Sequence, residues 1–314
     1  MPHRGHDAGG VRQTRESDMA LAHQFEYLKP GSLQETVEIL SQAGHRAQIL
    51  AGGTDLIPWI GEELLCPEVL VDIKEIEELA GIARGDHHIR IGARVTFNEL
   101  IDSELIGRGF PLILEMAMAV ASPGVRNRAT LVGNICSAVP SCDSGPVLLV
   151  HQAEVLVQGA SGERKVLMKD WFLGPRETAL QAGELVTGVR LPVPEGKGDG
   201  CYVKLGRYRG EDLAQASVAV LTLPDDCWRI AFGAVAPTPM RAPGIESLIS
   251  GKKITDEVIV EAQKLVPREI APITDVRATR RYRLHMVQVM LERSLRASQS
   301  RCANGSPPYG MKLI

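Results

Sequence analysis

The chain has 314 residues, more than one comfortable hydrophobic core holds, so two or three compact units are expected. With 44% apolar and 23% charged residues it has the make-up of a folded globular protein, which excludes disordered, collagen-like and coiled-coil architectures. Thirty-five basic against 38 acidic residues give a formal charge of −3, too even for a nucleic-acid or anionic-membrane binder.

The first 21 residues are rich in Gly, Arg, His and Asp without periodicity and read as a disordered leader, within which Met19 is a candidate start. They also lack the apolar block of a secretory signal, and no run in the chain reaches the roughly 18–20 apolar residues of a membrane span. A cytoplasmic location is expected. Ser32-Leu33-Gln34-Glu35 has the form of a capping box and predicts a helix over Leu33–Ala43. Gln48–Ala51 reads as a short buried strand running into the glycine turn Gly52-Gly53-Thr54-Asp55, and Val69–Ile73 and Ile89–Ala93 read as further strands. Thr96 caps a short helix, and Pro111–Val120 predicts another with proline in its first turn. Asp143-Ser144-Gly145-Pro146 reads as a helix cap before Val147–Val150, Val155–Val157 and Lys165–Leu167 as a hairpin, and Leu185–Leu191 as a strand. The Pro/Gly-rich block Pro192–Gly200 marks a boundary. Beyond it, Tyr202–Leu205, Ser217–Leu223 and Trp228–Val235 read as a sheet, and Asp256–Leu265 and Arg277–Leu295 as helices, so strands and helices segregate into an α+β unit. The partition is a leader over 1–21, domains over 22–195 and 200–297, and a tail over 298–314 without amphipathic pattern.

The six cysteines, Cys66, Cys136, Cys142, Cys201, Cys227 and Cys302, have no C-x-x-C spacing, so reduced thiols and no protein-bound metal are expected. No G-x-G-x-x-G, P-loop, G-x-S-x-G or H-E-x-x-H occurs, which disfavours Rossmann, P-loop, serine-hydrolase and zinc-protease chemistry. Three small-residue loops remain: Gly52–Asp55, Ser122-Pro123-Gly124 and Thr130-Leu131-Val132-Gly133-Asn134. Glycine lets consecutive backbone N–H groups converge on an anion, and three such loops within about 80 residues point to an extended polar ligand. Asp143 is either a ribose acceptor or a plain helix cap.

Ala51-Gly52-Gly53-Thr54-Asp55-Leu56, Ala121-Ser122-Pro123-Gly124-Val125-Arg126-Asn127-Arg128 and Thr130–Asn134, followed by Pro140, Asp143 and Pro146, resemble the paired FAD-binding motifs of the molybdenum hydroxylase flavoprotein subunits. Tyr202–Arg207, with Asp212 and Ala214, is similar to the opening of that subunit's C-terminal domain. The resemblance covers about Phe25 to Arg296. It implies an α+β fold: a vanillyl-alcohol-oxidase or PCMH-type FAD-binding domain of two lobes, then a small α+β C-terminal domain over the flavin. By that resemblance, Leu50, Ala51, Gly52, Gly53, Thr54, Asp55 and Leu56, with Val120, Ala121, Ser122, Gly124 and Val125, would line the FAD. Thr130, Val132, Gly133 and Asn134 would hold its phosphates and neighbouring atoms, Asp143 would bind a sugar hydroxyl, and Val186 and Lys204 would touch the flavin. Lys204 would stabilise a reduced anionic ring. Ala129 and Val132 stand where the family often has glycine, and each added side chain would restrict φ and crowd the cofactor.

The implied role is electron transfer, with no catalytic acid or base and no metal ligand on this chain. Electrons would come from iron–sulfur (2Fe-2S) clusters on a small partner subunit, and molybdenum cofactor would sit on a large one, with NAD+ a possible acceptor. A xanthine or aldehyde dehydrogenase type leads, ahead of carbon monoxide dehydrogenase and 4-hydroxybenzoyl-CoA reductase types. A free-standing flavoenzyme and a scaffold that has lost FAD are the rivals.

Overall fold

The computed structural model describes residues 24–193, 196, 198–208 and 212–304. The leader expected over 1–21 lies outside these residues, as does the part of the expected tail beyond 304.

The first half of the chain builds two lobes. A three-stranded parallel sheet has Val69–Asp72 in the middle, flanked by Glu26–Leu28 and Ala47–Leu50. Its crossover is the helix Leu33–Ala43, where the Ser32 hydroxyl accepts from the Glu35 N–H and Val37 and Leu40 face inward. The second lobe carries a five-stranded sheet in the order Ile82–Arg84, His88–Gly92, Leu185–Pro192, Glu154–Gly159, Gly162–Leu167, antiparallel throughout. The expected hairpin is its far edge. Short helices follow His88–Gly92 in the chain, among them Phe97–Asp102, where Thr96 and Glu99 form a full capping box, and Pro111–Ala119, which packs on the strand Asp199–Leu205. The helix Leu56–Gly61 has no counterpart in the sequence reading, since six residues with a proline at the third are too few for an amphipathic period.

The second half is a four-stranded antiparallel sheet, Asp199–Leu205, Ala216–Leu223, Cys227–Gly233 and Met240–Arg241, with the helices Pro243–Ile249, Asp256–Glu269 and Arg280–Asn304. Side chains alternate across a strand, and both faces of this sheet are covered. Cys201, Val203, Leu205, Val218, Val220, Ile230 and Phe232 pack on those helices, whereas Tyr202, Ala219, Leu221 and Ala231 join the core of the first half. The second face is therefore an internal wall, which puts Tyr202 and Lys204 against the first half of the chain.

The last helix runs past Leu295 to Asn304, so the segment expected to be a patternless tail from 298 begins as helix. Its inward stripe, Val287, Met290, Leu291, Ser294, Leu295, Ser298 and Arg301, continues at helical spacing, but its final members are polar. Hydrophobic periodicity fades there because the partner is a carboxylate. Arg301, 1% exposed, meets buried Glu115 of the helix Pro111–Ala119 with two N–O contacts of 2.9 Å and also donates to the Gly200 carbonyl.

Candidate functional site

The strand Ala47–Leu50 ends in the glycine turn, and the close approach of another segment dictates its composition. A Cβ on Gly52 would overlap the carbonyl oxygen of Arg128, and Gly53 sits at φ +75°, which an L side chain rarely adopts. The Arg128 Nε donates to the Gly52 carbonyl at 3.3 Å, lacing the two segments together. Among the described residues, the N–H groups of Gly53, Thr54 and Asp55 have no hydrogen-bond acceptor. Asp55 opens the helix Leu56–Gly61 without capping it, because its carboxylate accepts from the Ser137 hydroxyl instead.

On the opposite wall the helix Pro111–Ala119 gives way to Val120 and to Ala121, whose φ is +37°. Left-handed backbone at a residue with a Cβ costs of order 1–3 kcal/mol and persists where the surroundings impose it. Here Arg126 imposes it, donating from Nη1 to the carbonyls of Val120 at 2.8 Å and Ala121 at 3.0 Å. The two motifs read as loops are short helices, Pro123–Arg126 and Leu131–Cys136. Ser122 and Thr130 cap them, the Thr130 hydroxyl accepting from the Gly133 N–H at 2.9 Å. That N–H is consequently not free for a phosphate. Ala129 and Val132 both avoid positive φ, so the backbone restriction expected of them does not arise.

Asp143 does not cap the helix Ser144–Val150. Its carboxylate reaches across to the second sheet, accepting from the Tyr202 hydroxyl at 2.6 Å and the Lys204 ammonium at 2.7 Å. Lys204 also donates to the Ala119 carbonyl at 3.2 Å. Burial pushes the Asp143 carboxyl above the usual aspartate range, with Lys204 pulling against it, and burial with the adjacent Asp143 drives the Tyr202 phenol well up. Lys204 thus arrives at the site with its charge already balanced by Asp143.

These walls enclose a cleft of about 940 Å³. Ala51, Gly52, Gly53, Thr54, Asp55, Leu56, Val120, Ala121, Val125, Thr130, Val132, Gly133, Asn134, Asp143, Val186 and Lys204 line it, while Leu50, Ser122 and Gly124 do not. Leu50 packs instead with Ile60 and Leu70 beneath the turn. Sequence reasoning missed Trp59, Ser137, Arg176, Gln181 and Leu213, which the fold delivers to the cleft from segments without a motif. A ligand cleft typically measures about 300–1,000 Å³ and combines an apolar lining with a few placed polar groups. An elongated dinucleotide suits a space of this size with a turn of unpaired N–H groups, a glycine at positive φ and a buried carboxylate. Among the described residues, no cluster of His, Cys, Asp or Glu could hold a metal, and no helix is long and apolar enough to cross a membrane.

Residues 23–194 match the family model described as FAD binding domain in molybdopterin dehydrogenase, and residues 201–298 match the CO dehydrogenase flavoprotein C-terminal domain. The chain belongs to this family of FAD-binding subunits. Within it, the carbon monoxide dehydrogenase medium chain of Hydrogenophaga pseudoflava is 36% identical, over 89% of this chain and 98% of that one. The putative xanthine dehydrogenase FAD-binding subunit of Escherichia coli is 28% identical, over 85% of this chain and 93% of its own length. The structure of CO dehydrogenase from Oligotropha carboxidovorans superposes with a TM-score of 0.86 at 32% identity, covering 88% of this chain and 98% of that one. The flavoprotein is therefore more similar to the carbon monoxide dehydrogenase type than to the xanthine type, the reverse of the order expected from its motifs. It is an oxidoreductase subunit, and FAD is its cofactor.

Proposed function

We propose that this chain is the electron-transfer flavoprotein of a three-subunit molybdenum hydroxylase, linking a small iron–sulfur subunit to a final acceptor such as NAD+. The observation that carries the reading is the cleft itself, closed on one side by a sheet that the second domain contributes through Tyr202 and Lys204. When bound, FAD supplies the redox chemistry, accepting electrons singly and releasing them in pairs.

The chain's own residues bind, orient and shield. In this reading the unpaired N–H groups of Gly53–Asp55 take the diphosphate, and the close packing of Gly52 on the Arg128 backbone holds that turn in place. The Arg126-held turn at Val120 and Ala121 presents a fixed face to the ring, with Val186 from the central strand opposite. Asp143 and Lys204 form a neutral, buried pair with hydrogen-bonding capacity to spare, suited to a sugar hydroxyl and the polar edge of the ring. In this reading the metal centres belong to the partner subunits.

The purified chain is expected to be yellow, to release FAD on denaturation, and to be bleached by a reduced iron–sulfur partner and recoloured by its acceptor. A folded chain that stays colourless after incubation with excess FAD would refute the cofactor assignment. A yellow chain bleached directly by small organic substrates, with no partner, would instead make it a free-standing enzyme.

A further inference from the structure

We infer that Arg176 is the counter-charge for the diphosphate of the bound dinucleotide, leaving the face of Trp59 to reach it; this rests on the cleft being an FAD site. A diphosphate bridge brings two negative charges, and seating them out of bulk water requires charged or N–H donors. Among the described residues the wall they meet is otherwise acidic: Asp55, Asp143, Glu177, Glu184 and Asp212 line the cleft against Lys204 and Arg176, leaving His45 aside. Lys204 is committed to Asp143 at 2.7 Å, and Glu184 is taken by Arg164 at 2.6 Å. Among the described residues, the Arg176 guanidinium makes neither an ion pair nor a hydrogen bond; its carbon lies 4.7 Å from the centre of the Trp59 ring. Among the described residues it is the uncommitted cation of the cleft.

Its position fits the task. Trp59 stands one turn along the helix Leu56–Gly61, its N–H bonded to the Asp55 carbonyl at 3.1 Å, so its backbone lies about 6 Å along the helix axis from the turn carrying the unpaired N–H groups, and Arg176 is held over its ring. Its backbone is pinned while its side chain is exposed. Arg176 adopts φ +63° and its N–H donates to the Ala138 carbonyl at 2.8 Å, and Ala138 is itself left-handed at φ +46°. Two such residues bonded to each other at the edge of a cleft fix the origin of a side chain that can then move between an aromatic face and an anion. The cation–π contact is weak enough to be exchanged for a diphosphate.

The test uses the full chain stripped of FAD, titrated with FAD at low and at high salt and followed by quenching of flavin fluorescence, for wild type, Arg176→Met and Arg176→Lys. Arg176→Met is expected to weaken FAD binding about tenfold at low salt, the worth of one charge-assisted hydrogen bond, with the gap closing at high salt. Arg176→Lys is expected to keep the salt dependence and lose less. The inference is overturned if Arg176→Met binds within twofold of wild type at low salt, or if its loss is equal at both salts, which is the signature of packing. A wild-type chain that takes up no FAD overturns it together with the cofactor assignment; the other two results overturn it alone.

Discussion

Cutting the link between Arg301 and Glu115 should loosen the whole second domain. Arg301 is 1% exposed and Glu115 8%, and they meet through paired N–O contacts of 2.9 Å. The same carboxylate accepts from the Tyr202 N–H at 2.8 Å, so one buried acid joins the first domain, the first strand of the second sheet and the last helix. Arg301→Met preserves most of the volume but leaves the Glu115 charge buried with one N–H donor. Removing one partner of a buried pair costs about 3–5 kcal/mol, much of it the stranded charge. Adding Glu115→Gln removes that charge, so the double variant should recover part of the loss, a coupling of about 1–3 kcal/mol by double-mutant cycle. Truncation after residue 297 deletes Arg301 and should destabilise at least as much as the point change. Urea unfolding of wild type, the two single variants, the double variant and the truncated chain, reading midpoint and slope, measures each quantity. If Arg301→Met lies within about 1 kcal/mol of wild type, or the effects of the two substitutions simply add, the ion pair is not what closes the domains.

Gly52→Ala and Gly124→Ala should part company although both lie in motifs of small residues. The first would place its Cβ 2.7 Å from the Arg128 carbonyl carbon and on top of its oxygen, costing about 1–3 kcal/mol or more and emptying the cleft of FAD. The second lies in a helix with its nearest neighbour 3.9 Å away, so thermal unfolding should show it unchanged or stabilised by about 0.5–1 kcal/mol; equal damage by both would contradict the steric reading. His151, buried with the guanidinium of Arg229 nearby, has its pKa lowered from 6.5 to about 3, burial being the larger cause. A histidine with a depressed folded pKa stabilises the neutral fold above about pH 6.5, and that stability drains away as pH falls toward 3, by up to about 1.4 kcal/mol per unit. His151→Leu should flatten the fall in urea midpoint between pH 7 and 4; an unaltered slope would mean the ring is not held neutral.

Local rules settled much of this protein. Ser32 and Thr96 opened helices because a hydroxyl satisfies a free N–H wherever it stands before a helical run, and the valine-rich strands of the second sheet formed because their alternation suits a pleat buried on both faces. The glycine turn was legible because only a residue without a Cβ fits beside Arg128 or at φ +75°. The ordered set of motifs carried the family, and sixteen of the nineteen residues expected at the cofactor do line the cleft. Other features depended on partners distant in sequence. Asp143 could be read locally as a cap or as a sugar acceptor, and only the strand Asp199–Leu205, some sixty residues on, brings Tyr202 and Lys204 to its carboxylate. The last helix seemed to stop where its apolar stripe stopped, because nothing local reveals that Glu115 waits to pair with Arg301. Trp59 and Arg176 carry no motif, and only the closing of the two lobes sets one over the other. Chain-local chemistry fixes caps, turns and the two-residue rhythm of strands, whereas the destination of a buried charge is set by whichever opposite charge the folded chain carries to it.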